Sequence, residues 1–213
     1  MALTVNDKRI TKIVITGGPC AGKTTGMKWI RERIAKLGYS VVFIPETATE
    51  LISGGVAPWT MNTVLDYQLC QMKLQSEKER IFAEAASKLS DADKILLVCD
   101  RGAMDNKAYM TDGDFKSALA LLNIREEDMM KEYDAVFHLA TAAKGGEKFY
   151  TLSNNEARTE SVDEAVALDC RLISAWEKHP YFKLVRESEN FEEKMEMLVC
   201  EISQFLEKAE REA

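Results

Sequence analysis

The sequence predicts an α/β fold, a mostly parallel five-stranded sheet flanked by helices in three layers, with 1–213 forming one domain. Three observations predict it. Short apolar runs without polar alternation recur along the chain, as expected of strands buried on both faces. Longer stretches with helical spacing separate them, which implies right-handed crossovers between parallel strands. The first run ends in a glycine-rich loop that opens the first such stretch.

The strands are read at Lys12–Thr16, stopping at Gly17; Val41–Ile44, stopping at Pro45; Ile95–Cys99, stopping at Asp100; Ala135–Ala140; and the weaker run Phe182–Val185. The first helix is expected over Lys23–Leu37, where Met27, Ile30, Ile34 and Leu37 share one face and Gly38 supplies the stop. A short helix is expected at Ala48–Ile52, opened by Glu46 or Thr47. Met61–Leu89 has few breakers and holds one long helix or two; Glu164–Glu177 and Phe191–Glu210 complete the set. The segment 144–161 differs, with Gly145, Gly146, Asn154, Asn155, three basic residues and two aromatics, and is read as a lid that closes over a ligand, against the plainer reading of a surface loop.

With 213 residues and 46% hydrophobic content, one sizeable core is expected. The net charge of −7 argues against broad nucleic-acid binding, which needs a basic footprint, yet leaves room for a local phosphate site. No run reaches the roughly 18 apolar residues of a membrane helix, and the N-terminus lacks the apolar core of a signal peptide. Five widely spaced cysteines with no CxxC pair suit reduced thiols, so the expected location is cytoplasmic. His138 in an apolar run and His179 before Pro180 read as a core residue and a helix-ending residue, and the methionine-rich stretches as core filling.

Gly17-Gly18-Pro19-Cys20-Ala21-Gly22-Lys23-Thr24 matches G-x-x-x-x-G-K-[ST], a P-loop. The glycines let the backbone curl so that its N–H groups approach phosphate oxygens, and the following helix points its positive end at the same anion. Lys23 is expected on the β and γ phosphates, the Thr24 hydroxyl on Mg2+, and Thr25 on the α-phosphate. The expected ligand is ATP or GTP with magnesium. Cys20 is a small residue at a free position of the loop.

Asp100, at the carboxyl end of the third strand, is placed as the magnesium-side acid, with capping of the next helix as its alternative use. Arg101 is placed on the transferring phosphoryl group, with an exposed surface arginine as the alternative. Glu46, at the end of the second strand, is placed as the base that takes a proton from a substrate hydroxyl or orients water, with helix capping as the alternative. Asp105 and Asn106 are candidates for the acceptor pocket. In the lid, Arg158 is the candidate for stabilising phosphoryl charge, with Lys144 and Lys148 beside it and Phe149 and Tyr150 placed to stack on a base or anchor the loop.

GGPCAGKTTG (17–26), PETATELI (45–52), CDRG-x-x-D (99–105), FYTLSNNEARTES (149–161) and LDCRLISAWEKHPYF (168–182) occur together. The set resembles the NadR-like AAA domain, the P-loop ATPase/kinase family that includes the TRPL-translocation-defect protein. The likeness spans nearly the whole chain. It implies a kinase-type sheet in the order 2-3-1-4-5, with nicotinamide riboside kinase activity in one branch and nucleotide binding, including GTP, in the other. The Pro45-Glu46 and Asp100-Arg101 pairs are also similar to the deoxynucleoside kinase pattern, which makes Glu46 the base and Asp100 a magnesium-side acid. Asp100 stands where those kinases carry Glu, and the lid carries one arginine, Arg158, where they carry several.

Two functions follow from this reading. One is an ATP-dependent kinase acting on a nucleoside-like small molecule, the acceptor itself unidentified. The other is an ATP- or GTP-binding switch or slow NTPase. Asn106-Lys107-Ala108-Tyr109 ends in Tyr where a guanine-reading NKxD motif needs Asp. The absence of a second small helical domain argues against an oligomeric motor; a homodimer is the expected assembly to test.

Overall fold

The computed structural model describes residues 3–5, 8–90, 92–143, 161–188 and 190–212. The strands are β1 (Leu3–Val5), β2 (Lys8–Thr16), β3 (Ser40–Ile44), β4 (Lys94–Asp100), β5 (Ala135–Leu139) and β6 (Phe182–Val185). The sheet runs β3-β4-β2-β5-β6, all parallel, which is the order 2-3-1-4-5 once the strands after β1 are numbered from β2. β1 was not foreseen. It pairs antiparallel with Lys8–Ile10, whereas β5 pairs with Ile13–Thr16, so each covers a different part of β2.

The helices are α1 (Lys23–Ile34), α2 (Thr47–Ser53), α3 (Val64–Ser87), α4 (Asp112–Leu122), α5 (Glu126–Lys131), α6 (Val162–Trp176) and α7 (Phe191–Arg211). α1 tightens into a 3₁₀ turn at Ala35–Leu37 and stops at Gly38, whose φ of 85° is the left-handed conformation that favours glycine. The 61–89 stretch is one helix, not two, opened by Thr63, whose hydroxyl accepts from the Asp66 N–H. α4 and α5 lie where no element was expected, and the helix foreseen after Asp100 is the 3₁₀ segment Ala103–Tyr109. α4 has its own start signal, Thr111 accepting from the Asp114 N–H, and Asn123 ends it at φ 52°.

Alternation along the strands divides the core into layers. Ile13, Ile15, Leu96, Val98, Ala135 and Phe137 pack on one side against Ile30 and Ile34 of α1 and Leu198, Ile202 and Phe205 of α7. Val14, Cys99 and Val136 face the other side, against Met72 of α3, Phe115 of α4 and Trp176 of α6. Because the five strands are parallel, their carboxyl ends share one edge, and the loops carrying Gly17, Glu46, Asp100 and Thr141 all leave from it. Among the described residues no helix is long and apolar enough to cross a membrane.

Candidate active site

The P-loop leaves β2 at Gly17, where φ is 143° and an added Cβ would lie 2.2 Å from the Leu139 carbonyl oxygen. Only glycine fits there. Gly22 closes the loop at φ 87° against the Phe191 ring, 2.7 Å from the place of a Cβ. It is the N-cap of α1, and as glycine it offers the helix no side-chain cap; the first turn also contains no acid. α3, α4, α6 and α7 are each capped by a side chain, Thr63, Thr111, Ser161 and Asn190. Among the described residues, neither the N-cap side chain nor a first-turn acid competes with an anion for the first-turn amides of α1.

Lys23 lies over the front of this loop. Its Nζ donates to Gly17 O (2.9 Å) and Gly18 O (3.1 Å). Burial and the neighbouring Arg101 draw its pKa down to about 8, against the pull of Asp100, Glu46 and Asp105. Thr24 and Thr25 stand in the first turn of α1, Thr24 exposed.

Glu46 and Arg101 meet across the ends of β3 and β4. The Arg101 Nε donates to Glu46 Oε1, and its Nη1 reaches Gly17 O at 3.3 Å, so the pair is tied to the P-loop. The two side chains are only 27% and 13% exposed. Arg101 is therefore not a surface arginine. Glu46 occupies the N-cap position of α2 without making a side-chain cap bond; its carboxylate goes instead to Arg101 and to the Thr49 hydroxyl at 2.6 Å. Burial would raise the Glu46 pKa, but Arg101, Lys23 and these hydrogen bonds outweigh it and hold it at about 2. Burial likewise opposes the charge of Arg101, and Tyr109, Glu46 and Asp105 more than offset it, so Arg101 stays protonated.

Asp100 pairs in register with Ile15 and does not cap the next helical segment, whose N-cap is Gly102. Burial raises its pKa, with Glu46 and Asp105 adding to the effect and Lys23 and Arg101 opposing it. Its Oδ1 is buried and has no hydrogen-bond partner among the described residues. An unpartnered acid within electrostatic reach of Lys23 fits a magnesium ion that keeps water and substrate phosphates for its other ligands. No group of three or more His, Cys, Asp or Glu among the described residues could hold a metal by itself.

Asp105 departs from its expected role. Its two oxygens are taken by Thr16 Oγ1 and by Gly102 N (2.6 Å), so it locks the post-β4 turn to β2 and does not line an acceptor pocket. Asn106 donates to Ala103 O and to Gln75 Oε1, and its own Oδ1 is buried without a partner among the described residues. Arg158, Lys144, Lys148, Phe149 and Tyr150 lie outside the described residues, as does the proposed lid except Ser161, which caps α6.

A family model described as an AAA domain matches residues 12–194. The chain belongs to this AAA domain family. No curated protein matches it. Among solved structures the AAA domain is similar to the deoxyadenosine kinase of M. mycoides, described with dCMP and a flexible dCDP bound: 16% identity, 91% of this chain and 100% of that chain covered, TM-score 0.58. At that identity the likeness shows the fold, a P-loop kinase-type sheet.

Several residues that support the AAA domain's site were missed in the sequence. Arg101, itself foreseen, has a left-handed backbone (φ 69°), costly for any residue with a Cβ, and is pinned by its N–H to Ile15 O (3.0 Å) and by Gln75 Nε2 to its carbonyl (3.3 Å). Gln75 is held in turn by Glu79, which also takes the Tyr133 hydroxyl and Lys12. On the same helix Tyr67 and Gln68 are buried, and the Tyr67 hydroxyl and Gln68 Oε1 have no partner among the described residues. Burial, then Glu46 and Tyr109, push the Tyr67 pKa to about 12, so it is a neutral donor. Behind the P-loop, His138 Nε2 and Gly18 N both meet Asp169 Oδ1, at 3.0 and 2.8 Å. His138 is thus a core residue with a polar task. His179 is buried and its N–H bonds to Trp176 O just past α6, as a helix-ending residue should. The one available signal was the run of polar residues at helical spacing in α3, Gln68, Gln71, Gln75 and Glu79, on its buried face.

Proposed function

We propose that this AAA domain is an ATP-dependent small-molecule kinase that moves the γ-phosphoryl group of magnesium ATP to a hydroxyl of a nucleoside-like acceptor. The observation that carries the reading is the Glu46–Arg101 pair, a carboxylate and a guanidinium joined to each other and, through Arg101 Nη1, to the P-loop. Lys23 and the loop Gly17, Gly18, Pro19, Cys20, Ala21, Gly22, Lys23, Thr24 and Thr25 enclose the triphosphate, the Gly18 N–H staying on Asp169 and Pro19 having none, and Thr24 and Asp100 would hold the magnesium. Arg101 turns from Glu46 to the transferring group. Glu46, so released, takes the acceptor's proton as its oxygen attacks the γ-phosphorus, and the bond to the β-phosphate oxygen breaks with ADP keeping the electron pair. A nicotinamide riboside acceptor, as in one branch of the NadR-like group, belongs to the panel to be tested; GTP is the alternative donor. No disulfide joins the described cysteines, and a reducing, cytoplasmic setting is part of this reading.

One observation favours a second reading. While Arg101 holds Glu46, the carboxylate is a weak base, which suits a nucleotide-binding switch with slow hydrolysis. Incubation with magnesium ATP and a panel of nucleosides, nicotinamide riboside included, separates the two by ADP formation and phosphorus NMR. The kinase reading expects at least one acceptor to raise ADP formation well above the acceptor-free rate and to yield a phosphate monoester in equal amount. The same slow ADP release with every acceptor, and with water alone, would leave the switch.

A further inference from the structure

Lys194, in the first turn of α7, is 0% exposed and has all three of its donors engaged. Its Nζ donates to Ala21 O of the P-loop (2.9 Å), to Ala140 O beyond β5 (2.7 Å) and to Glu187 Oε2 (2.6 Å). A buried charge is costly unless fully paired, and here one of its three bonds is spent on the backbone of the phosphate loop. In a trans peptide the C=O and the following N–H point in opposite directions. The Gly17–Gly18 peptide shows this: its carbonyl faces Lys23 and Arg101, and its N–H faces Asp169. By the same rule an ammonium on the Ala21 carbonyl directs the Gly22 N–H away from α7.

We propose that Lys194 is a positioning residue for nucleotide binding, which orients and polarises the Ala21–Gly22 peptide so that the Gly22 N–H becomes a stronger donor to phosphate. The inference rests on the reading of Gly17–Thr25 as the polyphosphate site. Two effects act together. Hydrogen bonds along a peptide strengthen one another, so charge on the carbonyl side raises the acidity of the N–H side. The ammonium also adds to the positive potential of Lys23 and the α1 N-terminus, moderated by Glu187. Thr141 Oγ1, donating to Pro19 O at 2.5 Å, fixes the neighbouring stretch of loop without a charge.

Titration calorimetry of magnesium ATP against the parent, Lys194→Met, Glu187→Gln and Lys23→Met proteins, with melting temperatures for each, tests this. Lys194→Met is expected to weaken binding by about 10- to 30-fold, the lower part of the range of a hydrogen bond to a charged group, since Lys194 acts through the peptide. Glu187→Gln removes the counter-charge; because burial lowers the Lys194 pKa and Glu187 raises it, the comparison is made at pH 6, where the ammonium is retained, and the variant is expected to bind about threefold more tightly there despite a lower melting temperature. A purely mechanical brace would lose affinity in both, in step with melting. Unchanged binding in Lys194→Met, or equal or weaker binding in Glu187→Gln, overturns the assignment; should Lys194→Met fail to fold, Glu187→Gln decides alone. If Lys23→Met loses affinity while these two do not behave as stated, only the role of Lys194 falls. If Lys23→Met also binds as the parent does, the phosphate-site reading itself has failed.

Discussion

Lys23→Met is expected to weaken magnesium ATP binding by about a hundredfold while making the ligand-free protein more stable. The affinity loss follows from removing a charge-assisted donor aimed at the β and γ phosphates. The gain in stability follows from the electrostatics. Burial and Arg101 hold the Lys23 pKa at about 8, below its ordinary 10.5. Between those two values the unfolded chain binds more protons than the folded one, so the stability of the parent rises with pH across that window and carries the full cost of the buried charge below about pH 8. Methionine removes the cost but leaves the Gly17 and Gly18 carbonyls without their donor, so the net gain at pH 7 is about 1–2 kcal/mol, or roughly 2–6 °C in melting temperature. Differential scanning calorimetry from pH 7 to 10 reads both parts. The advantage of the variant should shrink as pH rises. A variant that melts below the parent at pH 7, or whose difference does not change with pH, would show that Lys23 is not held as an uncompensated charge.

Glu46→Gln is expected to lower turnover by about 10²–10⁴-fold, the usual worth of a general base, without weakening magnesium ATP. Glutamine can still accept a hydrogen bond from Arg101 but cannot take a proton. Arg101, relieved of its counter-ion, is freer to meet the phosphoryl group, so nucleotide affinity should equal or exceed that of the parent. Stability moves the other way. The folded pKa of Glu46 is about 2 against an ordinary 4.5, so its contribution is fully present above pH 4.5 and is lost as pH falls toward 2. With the side chain about a quarter exposed, that contribution is about 1–3 kcal/mol, and the Gln variant should lack this part of the acid sensitivity. The checks are steady-state rates of ADP formation with an acceptor from the nucleoside panel, calorimetric affinity, and acid unfolding. Turnover at the parental rate with binding intact would take Glu46 out of the chemistry and favour the switch.

β2, β3 and β4 were legible because each is an apolar run stopped by a turn residue. Gly17, Pro45 and Asp100 mark the carboxyl ends of β2, β3 and β4 to within a residue. The P-loop was legible because phosphate chemistry constrains its spacing tightly, and Glu46, Asp100 and Arg101 because a parallel sheet brings strand ends to one edge. What the sequence concealed was support from far along the chain. Asp169 and Lys194 act on Gly18 and Ala21 across more than 150 residues; Asp169 stood inside the 168–182 motif with no role attached to it, and Lys194 in no motif. The buried face of α3 carries Gln68, Gln71, Gln75 and Glu79, so by hydrophobic periodicity it resembles a solvent face. It is buried because its partners are polar as well, the Arg101 carbonyl, Asn106 and Tyr133. Asp105 was misplaced for a related reason. An acid three residues past a glycine fits a pocket and a helix cap equally well in sequence, and only the Thr16 hydroxyl on the adjoining strand decides for the cap.

The most direct measurement is a crystal structure of the protein with magnesium and a non-hydrolysable ATP analogue. The β-phosphate should sit within the amides of Ala21 to Thr25 with Lys23 Nζ bridging to the γ-phosphate. The metal should lie between the Thr24 hydroxyl and the Asp100 carboxylate, and Arg101 should have turned from Glu46 toward the γ-phosphate. A triphosphate bound away from Lys23 and the start of α1 would contradict the account.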